Sequence, residues 1–259
     1  MLYMVHDKKE LLPFLSQNPE LYIYLYGDLD DFFWPKTIWY ALKSKDKIEA
    51  LALLYVGMKT PTLLLFHEGD PAMALTLLEE IQSFLPNSFY SHLSESIQPF
   101  FEKDFSIHHP ALHTKMALAK KVGPIDDENI RFLSEENLPS IYSLYQASYP
   151  GNWFDPRMLE TGKYLGYWQE GKLTGIAGIH VYSAEYQAAA LGNITTHPDH
   201  RGKGIAGKLT QQLCYELQKT VRYIGLNVKA DNGAAIKVYE RIGFEKIGFY
   251  VESLMERKG

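Results

Sequence analysis

From residue 129 onward, apolar and polar positions switch between a strand period and a helix period in a regular order. Asn129–Leu133 reads as a short strand. Ser134, followed by Glu136 and Asn137, then opens a helix carrying Ile141, Leu144 and Tyr145 at helical spacing. A second, shorter helix is predicted over Asn152–Thr161, after Pro150-Gly151. Two strands, Tyr164–Gln169 and Leu173–Tyr182, flank Glu170-Gly171-Lys172, a hairpin signal. The strand Ala188–Thr196 runs through a polar turn and glycines into a helix over Ile205–Thr220. Tyr223–Lys229 is the next strand, Gly233–Arg241 a helix stopped by Gly243, and Phe244–Met255 a closing strand.

The first half repeats that order more faintly. Ile38–Leu42 and Ile48–Gly57 form a hairpin around a lysine-rich turn, Thr62–Phe66 is a buried strand, Ala72–Phe84 a helix and Phe89–Leu93 a strand. A helix near Glu95–Glu102 and strands Phe105–His109 and His113–Lys120 complete it. The pattern implies an α/β (α+β) protein of two related halves, residues 1–122 and 125–259. Val122–Asp127, with Gly123-Pro124, is the expected linker.

Composition narrows the function classes. A net charge of −5, most of it in the first half, argues against a nucleic-acid partner. No apolar run approaches a membrane span, and the N-terminus lacks the basic start and apolar core of a signal peptide. The lone Cys214 excludes an internal disulfide and suits a reducing cytoplasm. Its place among Leu209, Leu213 and Leu217 reads as packing. His108, His109 and His113 lack ligand spacing to a cysteine or carboxylate, so no metal is expected. The dense aromatics from Tyr22 to Tyr40 read as core, with the alternative that some of them, together with Trp153, Phe154 and Trp168, wall an acceptor groove between the halves.

Residues 194–207, Ile-Thr-Thr-His-Pro-Asp-His-Arg-Gly-Lys-Gly-Ile-Ala-Gly, carry the chemistry. A glycine bend opening a helix presents unpaired N–H groups and the positive helix end, an anion site. Three phosphate patterns fit the same letters. Gly202-x-Gly204-x-x-Gly207 is the dinucleotide fingerprint, but five residues separate it from its strand and too little chain follows. Gly202-x-x-x-x-Gly207-Lys208 approaches a nucleotide P-loop, but Leu209 stands where Ser or Thr must hold magnesium. The third pattern is Arg201-x-x-Gly204-x-Ala206.

That third pattern resembles the pyrophosphate loop of the GNAT N-acetyltransferase superfamily. The block Leu226 to Phe244, an apolar strand, an asparagine, small residues and Tyr239-Glu240-x-x-Gly243-Phe244, resembles the family's next strand and helix at the right distance. The lead-in Gly192-Asn193-Ile194-Thr195-Thr196-His197-Pro198 is similar to the FR47-like branch. The resemblance covers residues 125–259 and reaches the first half only by element order. It implies a tandem GNAT-like fold with a degenerate first half, each half a mixed, mostly antiparallel sheet flanked by helices. There His67-Glu68-Gly69-Asp70-Pro71 replaces the glycine turn, with two carboxylates that repel pyrophosphate.

The resemblance also implies acetyl-CoA as cosubstrate. Its pantetheine arm would lie where the strand of Ile194, Thr195 and Thr196 splays from that of Leu226–Val228. Its pyrophosphate would lie on Arg201, Gly202, Lys203, Gly204, Ile205, Ala206 and Gly207. Asn227, Asn232 and Ala235 would complete the cofactor contacts, although Asn232 also suits a plain N-cap. Tyr239 matches the residue that protonates the leaving thiolate, against a plain packing role. The family glutamate eleven residues before Arg201 is here Ala190, so the base role falls to Glu185, His180, Tyr182 or water. The expected activity is direct acyl transfer from acyl-CoA to a small amine or amino acid, by a cytoplasmic monomer or homodimer. Non-catalytic acyl-CoA binding and protein N-acetylation are the alternatives.

Overall fold

The computed structural model describes residues 1–45, 47–67 and 71–259, which divide into two compact units. The first unit holds residues 1–115, 229–231 and 248–259, and the second holds 116–228 and 232–247. The expected division at 122/125 is therefore replaced by an interleaved one. Two fourteen-residue strands each contribute residues to both units, so the division falls inside strands rather than at the glycine-proline turn.

In the first unit, β1 (Leu2–Val5) leads through α1 (Lys8–Leu15) and α2 (Ile23–Asp28) to a hairpin of β2 (Thr37–Ser44) and β3 (Lys47–Tyr55). Next come β4 (Thr62–His67), α3 (Pro71–Ile81), β5 (Ser88–Leu93) and the first part of β6 (Phe105–Leu118). The strands β1 to β5 pair in chain order. β5 then pairs antiparallel with residues 251–256 of the last strand, from Val251 opposite Leu93 to Glu256 opposite Ser88. Strand alternation sends Phe89 and Leu93 of β5, with Leu63 and Leu65 of β4, into one core with Ala74, Leu77, Leu78 and Ile81 of α3.

Two sequence expectations change here, and one element is added: Ile23–Asp28, within the stretch read only as aromatic core, is a helix that buries Ile23, Leu25 and Tyr26. The helix expected near Glu95–Glu102 is only a 3-10 segment over Gln98–Glu102, with Pro99 in its first turn. The two strands expected between 105 and 120 are one strand, β6, in which His109 takes a left-handed φ of 51° beside Pro110. Of the turn at 67–71, residues 68–70 lie outside the described residues.

The second unit runs β7 (Ile130–Phe132), α4 (Leu138–Ser148), β8 (Leu165–Gln169), β9 (Lys172–Ser183), β10 (Ala188–Thr196), α5 (Ile205–Leu217), β11 (Tyr223–Lys229), α6 (Gly233–Ile242) and the start of β12 (Phe244–Arg257). Its strand order is β11-β10-β9-β8-β7; β10 is antiparallel to β9 and parallel to β11. Ile141, Leu144 and Tyr145 of α4 and Leu209, Leu213 and Leu217 of α5 build its core. The helix expected over Asn152–Thr161 shrinks to a 3-10 segment over Pro156–Thr161. It is capped by Asp155 and ended by Gly162 at φ 64°. The expected linker packs on α5, where Gln212 Oε1 accepts from the Ile125 N–H at 2.7 Å and Gln218 binds both polar groups of Val122. No helix among the described residues is long and apolar enough to cross a membrane.

Candidate active site

The turn after β10 is set by backbone bonds. The His197 N–H donates to the Thr174 carbonyl at 2.8 Å, and a 3-10 turn over Pro198–His200 follows. Gly202 and Gly204 then take φ of 77° and 78°, a left-handed conformation that side chains disfavour. Gly204 is the N-cap of α5, and the first helical bond runs from the Lys208 N–H to its carbonyl at 3.1 Å. The N–H groups of Gly202 to Gly207 consequently find no protein acceptor among the described residues, and no side chain caps the helix. Open space surrounds Gly202 and Gly204, whereas a Cβ on Gly207 would meet Val238 at 3.4 Å. This is a backbone cradle for an anion at the positive end of a thirteen-residue helix.

Side chains around the cradle divide by what they hold. Arg201 donates from Nε to the Thr196 carbonyl and from Nη2 to the Ser148 carbonyl, both at 3.3 Å, and so ties β10 to the last turn of α4. Lys203 is exposed. Lys208, which would reach phosphate in a P-loop, instead binds Asp127 at 2.7 Å. That ammonium, with donors from Asn129 and Tyr167, holds the Asp127 carboxyl down to about 2 against the effect of burial. His200 bonds Gln169 at 2.8 Å and the His197 ring accepts from the Asp199 N–H at 3.3 Å, so both histidines brace the turn.

The splay expected between β10 and β11 is present. Parallel register runs from Ala188 opposite Tyr223 to Leu191 opposite Leu226 and stops there. Gly192 to Thr196 continue against β9 alone, and Asn227 to Lys229 diverge. The break coincides with a register shift between Gly192 and Thr195, where Asn193 adopts φ 56°. A buried bond set fixes that strand bulge. Asn193 donates to the Tyr164 hydroxyl at 2.9 Å, accepts from the Trp153 N–H at 3.1 Å, and its carbonyl accepts from the Tyr145 hydroxyl at 2.9 Å. Burial raises both phenols well above the ordinary tyrosine range, so they stay protonated donors. The sequence places Tyr145 on a helix, Tyr164 at a strand start and Asn193 before the turn, without showing that the three meet. An asparagine directly after a glycine inside an apolar strand was the available signal of a bulge.

Around the splay, Thr195 turns its hydroxyl to Ser148 at 3.0 Å, and the buried Thr196 hydroxyl has no partner among the described residues. Ile194 and Asn227 are half-buried on the diverging strands. Asn232 caps α6 by accepting from the Ala235 N–H at 3.1 Å, the plain role foreseen for it. Tyr239, two turns on, lies 5.9 Å from the Phe244 ring. Burial pushes its phenol up to about 12. Gly243 closes α6 at φ 119°, where a Cβ would overlap the Lys120 side chain. Cys214 is fully buried, and burial raises its thiol far above the reactive range.

Ala190 is buried between Val181 and Gly225, leaving no carboxylate on that strand position. Of the substitute bases, Glu185 is exposed in the β9–β10 turn, and Tyr182 bonds Thr220 at 3.0 Å beside Ala189. Both lie at the end of β10 away from the glycine turn, Tyr182 one register position from Ala190. His180 lies at the splay, its ring covering Gly192 so closely that any Cβ there would overlap it. Among the described residues no three metal-ligating side chains converge. His108 pairs with Glu256 and His113 stacks on Tyr250.

Residues 131–244 match the model of the Acetyltransferase (GNAT) family. The chain is similar to the [ribosomal protein bS18]-alanine N-acetyltransferase of Escherichia coli, 32% identical over 122 residues, 45% of this chain and 80% of that protein. In fold it is similar to a Drosophila protein, with a TM-score of 0.77, 15% identity and coverage of 99% and 98% of the two chains. It is similar also to a tandem GNAT protein from the clavulanic acid biosynthesis pathway, with a TM-score of 0.55, 15% identity and 98% of each chain covered.

Proposed function

We propose, for a chain that belongs to the GNAT acetyltransferase family and is an acetyl-CoA-dependent N-acyltransferase, that the second unit binds the cosubstrate and performs the transfer. The observation that carries this reading is the run of unpartnered N–H groups from Gly202 to Gly207 beside the end of the β10–β11 ladder. The N–H groups hold a pyrophosphate, and the unpaired edge of β10 from Ile194 to Thr196 receives the amide-bearing arm, with Asn227, Asn232 and Ala235 alongside. Acetyl-CoA supplies the thioester. The chain's own contribution is to bring an amine beside it, which removes much of the orientational barrier.

Tyr239 holds a proton for the departing sulfur. A phenol raised to about 12 remains protonated across the working pH range and donates throughout it. His180 takes the amine proton, its ring lying over Gly192 at the first position past the β10–β11 ladder. The backbone beyond the Asn193 bulge faces the reacting carbonyl and stabilises charge there. Arg201 serves this site by fixing β10 to α4, and Lys203 adds positive charge near the phosphates.

The acceptor in this proposal is the amine of a small molecule or amino acid, transferred to directly by a cytoplasmic monomer or homodimer. The first unit is a degenerate GNAT fold that binds no acetyl-CoA. The second reading is a protein N-terminal amine, favoured by the similarity to the [ribosomal protein bS18]-alanine N-acetyltransferase of Escherichia coli. A thiol-release screen of acetyl-CoA against amines, amino acids and short peptides tests both. Turnover with small amines supports the first, and turnover confined to peptides replaces it with the second. Acetyl-CoA binding with no thiol release from any amine overturns both in favour of a non-catalytic binder.

A further inference from the structure

The first unit buries a lysine without a counter-charge. Lys115 of β6 is 9% exposed, and no carboxylate pairs with it among the described residues. Its ammonium carries three donors. One reaches the Leu21 carbonyl at 3.3 Å, and the head group lies 4.4 Å above the Phe66 ring and 5.5 Å from that of Tyr250. Two histidines share the place: His113 stacks on Tyr250 at 5.1 Å, and His92 lies 4.5 Å from the same ring. The one acid there, Glu252, is committed to His92, Oε2 to Nε2, at 3.0 Å.

Lys115, His92 and His113 thus gather about Tyr250, and the carboxylate of Glu252 is held by His92. A buried ammonium in that setting is strongly disfavoured. Burial accordingly pushes the Lys115 amine down to about 7 and lowers His92 as well. The cluster is not sealed, because the side chains of His92 and Glu252 keep 15% and 26% of their exposure and Phe66 is half-buried. By strand alternation it lies on the sheet face opposite α3, since Leu65 and Leu93 point to α3 and Phe66 and His92 do not.

We propose that the first unit holds a binding site for a small carboxylate with an apolar body, the Lys115 ammonium supplying its counter-charge and Phe66 and Tyr250 its walls. A singly charged carboxylate suits the site better than a phosphate, because the site offers one ammonium without a carboxylate partner, and the Glu252 carboxylate on His92 opposes a second negative charge. The ligand charge restores the proton to Lys115, so binding and proton uptake are linked.

The test is calorimetric titration of the full chain with acetate and with hexanoate, in buffers of differing ionisation heat, from about pH 6 to about pH 9. Hexanoate binds more tightly than acetate, takes up one proton above about pH 7, and loses affinity about tenfold per pH unit there. Lys115→Met abolishes binding and raises the melting temperature, as expected when an unpaired buried charge gives way to an apolar chain. Lys115→Arg, which cannot deprotonate, keeps binding and loses the pH dependence. Binding without proton uptake, binding undiminished in Lys115→Met, or no heat from either carboxylate overturns the proposal.

Discussion

The two units build the same crossover and put different chemistry at its end. In the first, β3 and β4 are antiparallel and β4 pairs parallel with β5 across α3; in the second, β9, β10, α5 and β11 repeat that arrangement. Both parallel ladders are short, ending at Leu64 opposite His92 and at Leu191 opposite Leu226. Past that point β10 runs five more residues, through the Asn193 bulge into Gly202 and Gly204, whereas β4 runs three, toward a turn whose sequence is acidic. One splay therefore opens on backbone N–H groups and the other on Phe66, His92 and Lys115. The shared topology fixes where a site can form, and a few residues at the turn decide which ligand it suits.

The strongest way to break the comparison is to delete residues 248–259. This removes the partner of β5 and the buried Val251, Ser253 and Met255 from the first unit alone. Hydrogen exchange should then show protection lost across β2 to β5 while β9, β10 and α5 keep theirs. Equal loss in both units would erase their distinction as units. Next in size, Tyr239→Phe should lower kcat roughly 100-fold with acetyl-CoA affinity unchanged. Single-turnover and binding measurements separate the two, and unaltered kcat removes Tyr239 from its role.

Gly204→Val sharpens the contrast between the turns. Forcing a β-branched residue to φ 78° costs about 1–3 kcal/mol. Acetyl-CoA affinity should accordingly fall roughly 10- to 100-fold. Full affinity would show that the cradle does not hold the cosubstrate. The smallest effect is expected at Asp127. Its carboxyl is held below the unfolded carboxylate value, so its stabilisation is complete above about pH 4 and is lost as pH falls through about 2. Asp127→Asn should cost about 1 kcal/mol or less, given the exposure of its partner Lys208. Denaturation at neutral pH and in acid measures it, and an identical acid limb in the variant would refute the assignment.

Much of the second unit was legible because its strands are apolar, its turns carry glycine, and its helices begin at Ser134, Gly204 and Asn232. The strands Ala188–Thr196 and Tyr223–Lys229 occur with the bounds that periodicity gives them. The N-terminal helices were not legible, since the stretch from Tyr22 to Tyr40 reads only as aromatic core, and Ile23–Asp28 within it is a helix. The base position was ambiguous for a related reason. Glu185, Tyr182 and His180 are neighbours in sequence, and only the fold shows that Tyr182 is held by Thr220 while the His180 ring lies over Gly192.

The sequence by itself determined the class of the protein and the glycine turn proposed as the anion site, because left-handed glycines, a strand before them and a helix after them are local requirements. Tertiary structure alone decided what depends on distant residues meeting. It placed residues 248–259 in the first unit, locked the Asn193 bulge with Tyr145 and Tyr164, diverted Lys208 to Asp127, and left Lys115 buried without a counter-charge. Spacing along the chain sets periodicity and turn chemistry. Burial and pairing across the fold set which side chain is free to act.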